Sequence, residues 1–92
     1  MKITVDDKVA ALLMFSVVNA PMAGLRWSDF PRLEELKTLF RKQPGSAPVD
    51  VEVPVGLHDL LRMAWNQAPA GQMPRYDDLP KAIEHIESAL KA

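Results

Sequence analysis

Two short stretches of the chain alternate apolar and polar residues, and each precedes two longer segments with helical spacing. The alternating stretches are residues 2–5 (KITV) and 49–54 (VDVEVP), where Val49, Val51 and Val53 fall at a period of two. That period is typical of a strand with one buried face. The pattern therefore predicts one short strand at the beginning of each half of the chain.

The longer segments predict four helices. The first helix of each half covers about 7–19 and 56–67, and the letters NAP or QAP follow it. Proline cannot continue a helix and disfavours helical geometry in the residue before it, so both helices should end there. The second helices, about 29–42 and 78–91, carry apolar residues along one side and charged residues along the other, as amphipathic surface helices do.

The two second helices share a start signal. RWSDFP in the first half and RYDDLP in the second both place an aspartate before an apolar residue and a proline. Aspartate accepts hydrogen bonds from the free amides of a first helical turn, and proline fits that turn because its missing N–H would have no partner there. We therefore expect Asp29 and Asp78 to cap these helices, with Arg26 and Arg75 as their surface ion-pair partners.

An aromatic residue follows the arginine in both start signals, Trp27 in the first and Tyr76 in the second. An aromatic side chain of this kind joins an apolar body to a polar tip. We expect both rings to cover the start of the helix that follows, and a ring that stacks on a ligand is the alternative interpretation.

The two halves also resemble each other letter by letter. LLMFSVVNAP at 12–21 aligns with LLRMAWNQAP at 60–69, and short loop gaps carry the alignment through the start signals. Internal similarity of this kind indicates a duplicated structural unit. The identical pairs are Leu12/Leu60, Leu13/Leu61, Ala20/Ala68, Pro21/Pro69, Ala23/Ala70, Gly24/Gly71, Arg26/Arg75, Asp29/Asp78 and Pro31/Pro80.

The predicted fold is mainly α, of the α+β kind with a minimal sheet. It forms one domain over residues 1–92, built as a tandem pseudo-symmetric β-α-α repeat. The first repeat covers about 2–42, a linker rich in proline, glycine and serine covers 43–48, and the second repeat covers about 49–91. The two strands should pair antiparallel across a pseudo-twofold axis, with the four helices supplying the core. In the alternative interpretation both stretches are extended but unpaired.

Composition limits the classes of function. Of the 92 residues 48% are hydrophobic and 25% are charged, and 11 basic against 12 acidic residues give a net charge of −1. The two signs are interleaved, which argues against the concentrated basic face of a nucleic-acid-binding protein. No cysteine is present, which excludes disulfides and thiolate chemistry and suits the cytoplasm, where we expect the protein. The most apolar run, 9–18, is too short to cross a bilayer.

Residue types that serve catalysis or metal binding occur without the spacing that either function needs. The adjacent carboxylates Asp6–Asp7 and Asp77–Asp78 stand at helix starts, where capping accounts for them. His58 and His85 are the only histidines, they lack ligand spacing, and we expect both on solvated faces. We therefore predict no catalytic residue, no metal site and no cofactor, and the sequence indicates no small-molecule substrate.

The aligned halves differ on one face of their first helices. In the second half this face is polar and is expected to be solvated; its residues are His58, Asp59, Arg62 and Asn66. The aligned residues of the first half are all apolar, and we call them the apolar stripe: Ala10, Ala11, Met14 and Val18. Exposed apolar patches mark interaction sites, and methionine adapts to varied partners. The stripe therefore predicts a protein-binding face, and the alternative is that the monomer covers it.

The sequence as a whole predicts a non-catalytic protein-binding module, a regulator, inhibitor or adaptor that acts through the apolar stripe. Its expected partner is another protein or a second copy of the chain, and neither nucleic acid nor membrane is expected. The alternative hypothesis is a homodimeric helical scaffold or a nucleic-acid-binding regulator, in which the basic end of the helix at 29–42 would contact phosphates.

Overall fold

The computed structural model of the chain describes residues 1–68 and 79–91. These residues form two strands and four α-helices: β1 (Lys2–Val5), α1 (Asp7–Asn19), α2 (Phe30–Phe40), β2 (Val49–Glu52), α3 (His58–Gln67) and α4 (Leu79–Lys91). Short 3-10 turns cover Ala20–Ala23, Trp27–Asp29 and Val55–Leu57. The predicted mainly α fold with a minimal sheet is confirmed. The duplication of a β-α-α unit stays a prediction.

β1 and β2 pair antiparallel, so the alternative of unpaired extended stretches is wrong. In the register Lys2 lies opposite Glu52, and Val5 lies opposite Val49. The alternation predicted for both strands sends Ile3 and Val5 of β1 into the core, where they are fully buried. The other face of the sheet is polar and exposed. The inner face of β1 is thus buried as predicted, whereas that of β2 is covered only in part, since Val51 is half-buried and Val49 is 51% exposed.

The helices bury their apolar sides against one another and against the sheet. α1 is the central helix, since α2, α3, α4 and β1 all pack against it. Burying one aliphatic or aromatic side chain of this size contributes about 1.5–3 kcal/mol relative to leaving it exposed. The largest fully buried apolar side chains are Phe40, Ile3, Leu12, Leu13, Leu33, Leu36, Leu61, Ile86, Val5, Val17 and Val53.

The starts of α1 and α2 are built differently. The carboxylate of Asp6 caps α1, because its Oδ1 accepts a hydrogen bond from the Val9 amide at 2.8 Å. Asp29 precedes α2 but makes no capping hydrogen bond, and its Oδ1 instead accepts from Arg32 Nη1 at 3.0 Å. The backbone of Asp29 is already helical (φ −86°, ψ −15°), whereas a capping residue is normally extended. The expected cap and the expected pairing with Arg26 are therefore both wrong for Asp29.

Two helix boundaries differ from the predicted ones. α2 ends at Phe40 rather than at residue 42, because Arg41 is extended and the chain then turns towards Pro44. The segment predicted to begin a helix at 56 first forms the 3-10 turn Val55–Leu57, and α3 begins at His58. The predictions made for Arg75, Tyr76, Asp77 and Asp78 lie outside the described residues.

Candidate protein-interaction face

The apolar stripe lies on the side of α1 that faces the C-terminal end of α2. Ala10 is buried with 7% of its surface exposed, Ala11 and Met14 are half-buried, and Val18 is exposed at 55%. The stripe therefore becomes more accessible from the start of α1 to its end. The monomer covers Ala10 but leaves Val18 and part of Met14 open to a partner.

A depression of about 210 Å³ separates the stripe from the end of α2. Ala10, Ala11 and Met14 line it on the α1 side, and Phe40 and Arg41 line it on the α2 side. Arg41 is exposed, and its guanidinium has no ion-pair partner in the described part of the chain. The depression therefore combines an apolar floor with an uncompensated positive charge at its rim.

An ion pair closes this depression at the start of α1. Lys42 Nζ lies 2.5 Å from Asp7 Oδ1 and also donates to the Ser46 carbonyl at 2.6 Å. The Gly45 amide donates to the second carboxylate oxygen of Asp7 at 3.0 Å. The Lys42 hydrogen bond, followed by the Gly45 amide, holds the pKa of Asp7 below its ordinary value of 3.8. Lys42 and Asp7 thus fasten the linker to α1, and Arg41 is the cation left facing solvent.

The polar face of α3 is less solvated than the sequence suggested. Arg62 Nε donates a hydrogen bond to the Leu90 carbonyl of α4 at 2.8 Å, and His58 Nε2 donates to the Val53 carbonyl at 2.8 Å. Both side chains are half-buried. Each donates to a backbone carbonyl that its own element leaves without a donor: the Leu90 carbonyl lies in the last turn of α4, and the Val53 carbonyl lies just beyond the end of β2. The expectation of solvent exposure therefore holds only in part for these two residues, and 38% of the Arg62 side chain is exposed. The exposed members of the face are Asp59 and Asn66.

Trp27 does not cover the start of α2. Its ring touches Phe30, with the ring centroids 5.5 Å apart and the planes at 45°, yet 89% of the residue is exposed. Trp27 begins the 3-10 turn Trp27–Asp29 that precedes α2, and its exposure shows that the expected covering position is wrong. No sequence signal could have shown this, since an aromatic beside serine and aspartate suits a covered and an exposed position equally.

A second depression, of about 490 Å³, gathers several acid–base groups beside the start of α1. Each of three such groups already has a structural partner: Asp6 caps α1, Asp7 binds Lys42, and His85 Nε2 donates to the Thr4 carbonyl at 3.1 Å. Within residues 1–68 and 79–91, no three histidine, aspartate or glutamate side chains lie close enough together to hold a metal ion. The arrangement around these groups is accounted for by capping, an ion pair and a strand contact.

Comparison of the chain with protein-family models, with curated proteins and with solved structures gave no match. No related protein therefore indicates what the chain binds. In the part of the chain that the structure describes, no helix has both the length and the apolar character needed to cross a bilayer.

Proposed function

We propose that the protein is a non-catalytic binding module that holds part of another protein on the apolar stripe. The observation that supports this best is the 55% exposure of Val18, on a helix whose other sides pack against the rest of the fold. A partner that covers Val18 and the open part of Met14 gains about 25 cal/mol for each Å² of apolar surface that it removes from water. Regulation, inhibition or adaptor activity would follow from occupying a partner's surface in this way.

An amphipathic helix is the partner element that fits this surface. Met14 and Val18 are the accessible residues of the stripe and lie four residues apart, and residues of this spacing form the ridge along which a second helix packs. The small side chain of Ala11 beside Met14 keeps the floor of the depression low. Arg41 at the rim favours a partner that carries an acidic residue near one end of its helix, since complementary charge orients association.

Composition supports the compartment and the class of partner that we propose. The chain has no cysteine, which supports our placing it in the reducing cytoplasm. Its 11 basic and 12 acidic residues are interleaved, which supports a protein partner over a nucleic acid.

Replacement of the two accessible stripe residues by the residues that α3 carries at the aligned positions tests this function. The variant Met14→Arg with Val18→Asn introduces the side chains that α3 carries at the aligned positions. Val55→Asn is the matched control, because Val55 is 82% exposed and lies outside the stripe. All three proteins are immobilised, and the proteins that each retains from native lysate are quantified by mass spectrometry after circular dichroism has shown equal helix content.

The proposal predicts that wild type and the control retain the same protein and that the double variant loses it. Equal retention by all three would contradict it. Sedimentation equilibrium tests whether a second copy of the chain covers the stripe instead. If wild type is a dimer and the double variant is a monomer, the stripe mediates self-association and not binding of a foreign partner.

A further inference from the structure

The outer edge of β2 carries backbone groups that β1 does not use. The Val53 amide donates to the Met1 carbonyl at 2.8 Å, directly beyond the paired residues Lys2 and Glu52. Hydrogen-bonded and non-hydrogen-bonded pairs alternate along an antiparallel ladder. Asp50 and Glu52 therefore occupy non-hydrogen-bonded positions, and their backbone N–H and C=O groups point away from β1.

The corresponding edge of β1 is covered, whereas the edge of β2 is open. The Thr4 carbonyl points away from β2 in the same manner, and it accepts the hydrogen bond from His85 of α4. Asp50 and Glu52 are exposed, and among the described residues no donor or acceptor meets their backbone on the outer side. A strand edge with free donors and acceptors is a template for the addition of another strand.

A groove with apolar and charged walls runs between this edge and α2. One depression, of about 190 Å³, is lined by Val49, Val51 and Leu39 on its apolar side and by Arg41, Lys42, Gln43 and Ser46 on its polar side. Another, of about 370 Å³, is lined by Leu39, Pro54 and Leu57 together with Glu34, Glu35 and Thr38. Leu39 lines both, so the two depressions adjoin. Alternate side chains of a strand added to β2 would point towards this groove. The half-exposed Val49 and the open side of Leu39 would then be covered.

Charge selects the occupant of this edge. The carboxylate of Asp50 accepts a hydrogen bond from the Thr4 hydroxyl at 2.8 Å, and no cation of the described residues pairs with it. A second copy added antiparallel and in register would set Asp50 and Glu52 against carboxylates of its own β2, and like charges directly opposite each other are destabilising. A lysine or arginine opposite Asp50 is favourable instead, so a foreign segment with a basic residue fits better than self-association.

We propose that the free edge of β2 binds an extended segment of a partner protein in which a lysine or arginine stands between two apolar residues. The segment adds to the sheet as a third strand, with its basic side chain opposite Asp50 on the polar face. Its two apolar side chains enter the groove beside Leu39. This surface contains no residue of the apolar stripe, so the strand-edge proposal does not depend on the function proposed above and is tested separately from it.

Two pentapeptides that differ in one residue test the proposal: acetyl-TVKVT-amide and acetyl-TVEVT-amide. Each is titrated into ¹⁵N-labelled protein, while amide exchange and chemical shifts are followed residue by residue. The lysine peptide should slow exchange of the Asp50 and Glu52 amides, and the glutamate peptide should bind about fivefold more weakly, as expected from one cross-strand charge pair. Such short segments bind weakly because ordering them costs free energy.

The variant Asp50→Lys should reverse the preference between the two peptides, and its own amide spectrum shows whether it is folded. Val18→Asn, on the apolar stripe, should leave both affinities unchanged. The proposal is overturned if neither peptide protects the amides of residues 50 and 52, or if Asp50→Lys leaves the order of affinities as it was.

Discussion

The Arg62 guanidinium donates from Nε to the Leu90 carbonyl across 2.8 Å, and this bond joins α3 to the last turn of α4. The residue aligned with Arg62 in the first half of the chain is Met14, which lies beside the end of α2 and donates nothing. One half therefore uses this position to satisfy a carbonyl within the monomer. The other half leaves an apolar side chain there, half-buried and available to a partner.

Replacement of Arg62 by methionine should loosen the end of α4. The Leu90 carbonyl loses its donor, so we expect the free energy of unfolding to fall by about 1 kcal/mol, the usual net contribution of one such hydrogen bond. Hydrogen exchange should accelerate in the last turn of α4. Asn66→Ala, one turn further along α3 at an exposed position, is the control and should change neither quantity measurably. Equal effects of the two substitutions would show that the Arg62 bond contributes nothing.

The sheet register predicts opposite outcomes for two adjacent residues of β1. Ile3 is fully buried, so Ile3→Ala should cost about 2–5 kcal/mol through lost burial and the cavity left behind. Thr4 is exposed and loses only its hydroxyl bond to Asp50, so Thr4→Ala should cost less than about 1.5 kcal/mol. Urea unfolding of the two variants measures the difference. A larger loss for Thr4→Ala would mean that β1 turns its other face to the core.

Much of this fold follows from local pattern. The alternation at 2–5 and 49–54 predicted two strands, and the capping of α1 by Asp6 follows from an aspartate at a helix start. Each of these features depends on residues within one turn or one strand. For that reason neighbouring letters sufficed to predict them.

The features that the sequence did not predict depend on distant neighbours. Lys42 pairs with Asp7 from 35 residues away, so the local sequence pattern could not predict that it holds the linker against α1. Arg32 binds both Asp29 and the Gly56 carbonyl, so the Asp29 carboxylate meets Arg32 and not the first amides of α2. The partial covering of the apolar stripe likewise depends on where the end of α2 packs, which periodicity alone does not determine.

The Asp7–Lys42 pair makes stability depend on acid pH. The pKa of Asp7 is lower in the folded state than its ordinary 3.8, so the unfolded chain takes up this proton first. The contribution of Asp7 is therefore fully present above about pH 4–5 and is lost as the pH falls through the lowered pKa.

Asp7→Asn should lower the urea midpoint at pH 7, and its difference from wild type should shrink as the pH falls below 3.8. Glu35→Gln removes an exposed carboxylate of α2 and is the control for the general effect of charge. A difference between Asp7→Asn and wild type that stays constant from pH 7 to pH 2.5 would contradict the assignment.

The two tryptophans should report opposite environments. Trp27 is 89% exposed and Trp65 is 8% exposed. Trp65→Phe leaves Trp27 as the fluorophore, and its emission should lie far to the red and be quenched efficiently by acrylamide. Trp27→Phe should leave a blue-shifted emission that acrylamide quenches poorly. Similar quenching constants for the two variants would show that Trp27 is covered.

Site-specific photocrosslinking tests the central claim, that the apolar stripe binds another protein. A photoreactive phenylalanine analogue is placed at Val18 in one variant and at the aligned, exposed Asn66 of α3 in the other, and both are irradiated in native cell lysate. We predict a discrete adduct with a foreign protein from position 18 and none from position 66. The same adducts from both positions, or none from position 18, would contradict the claim.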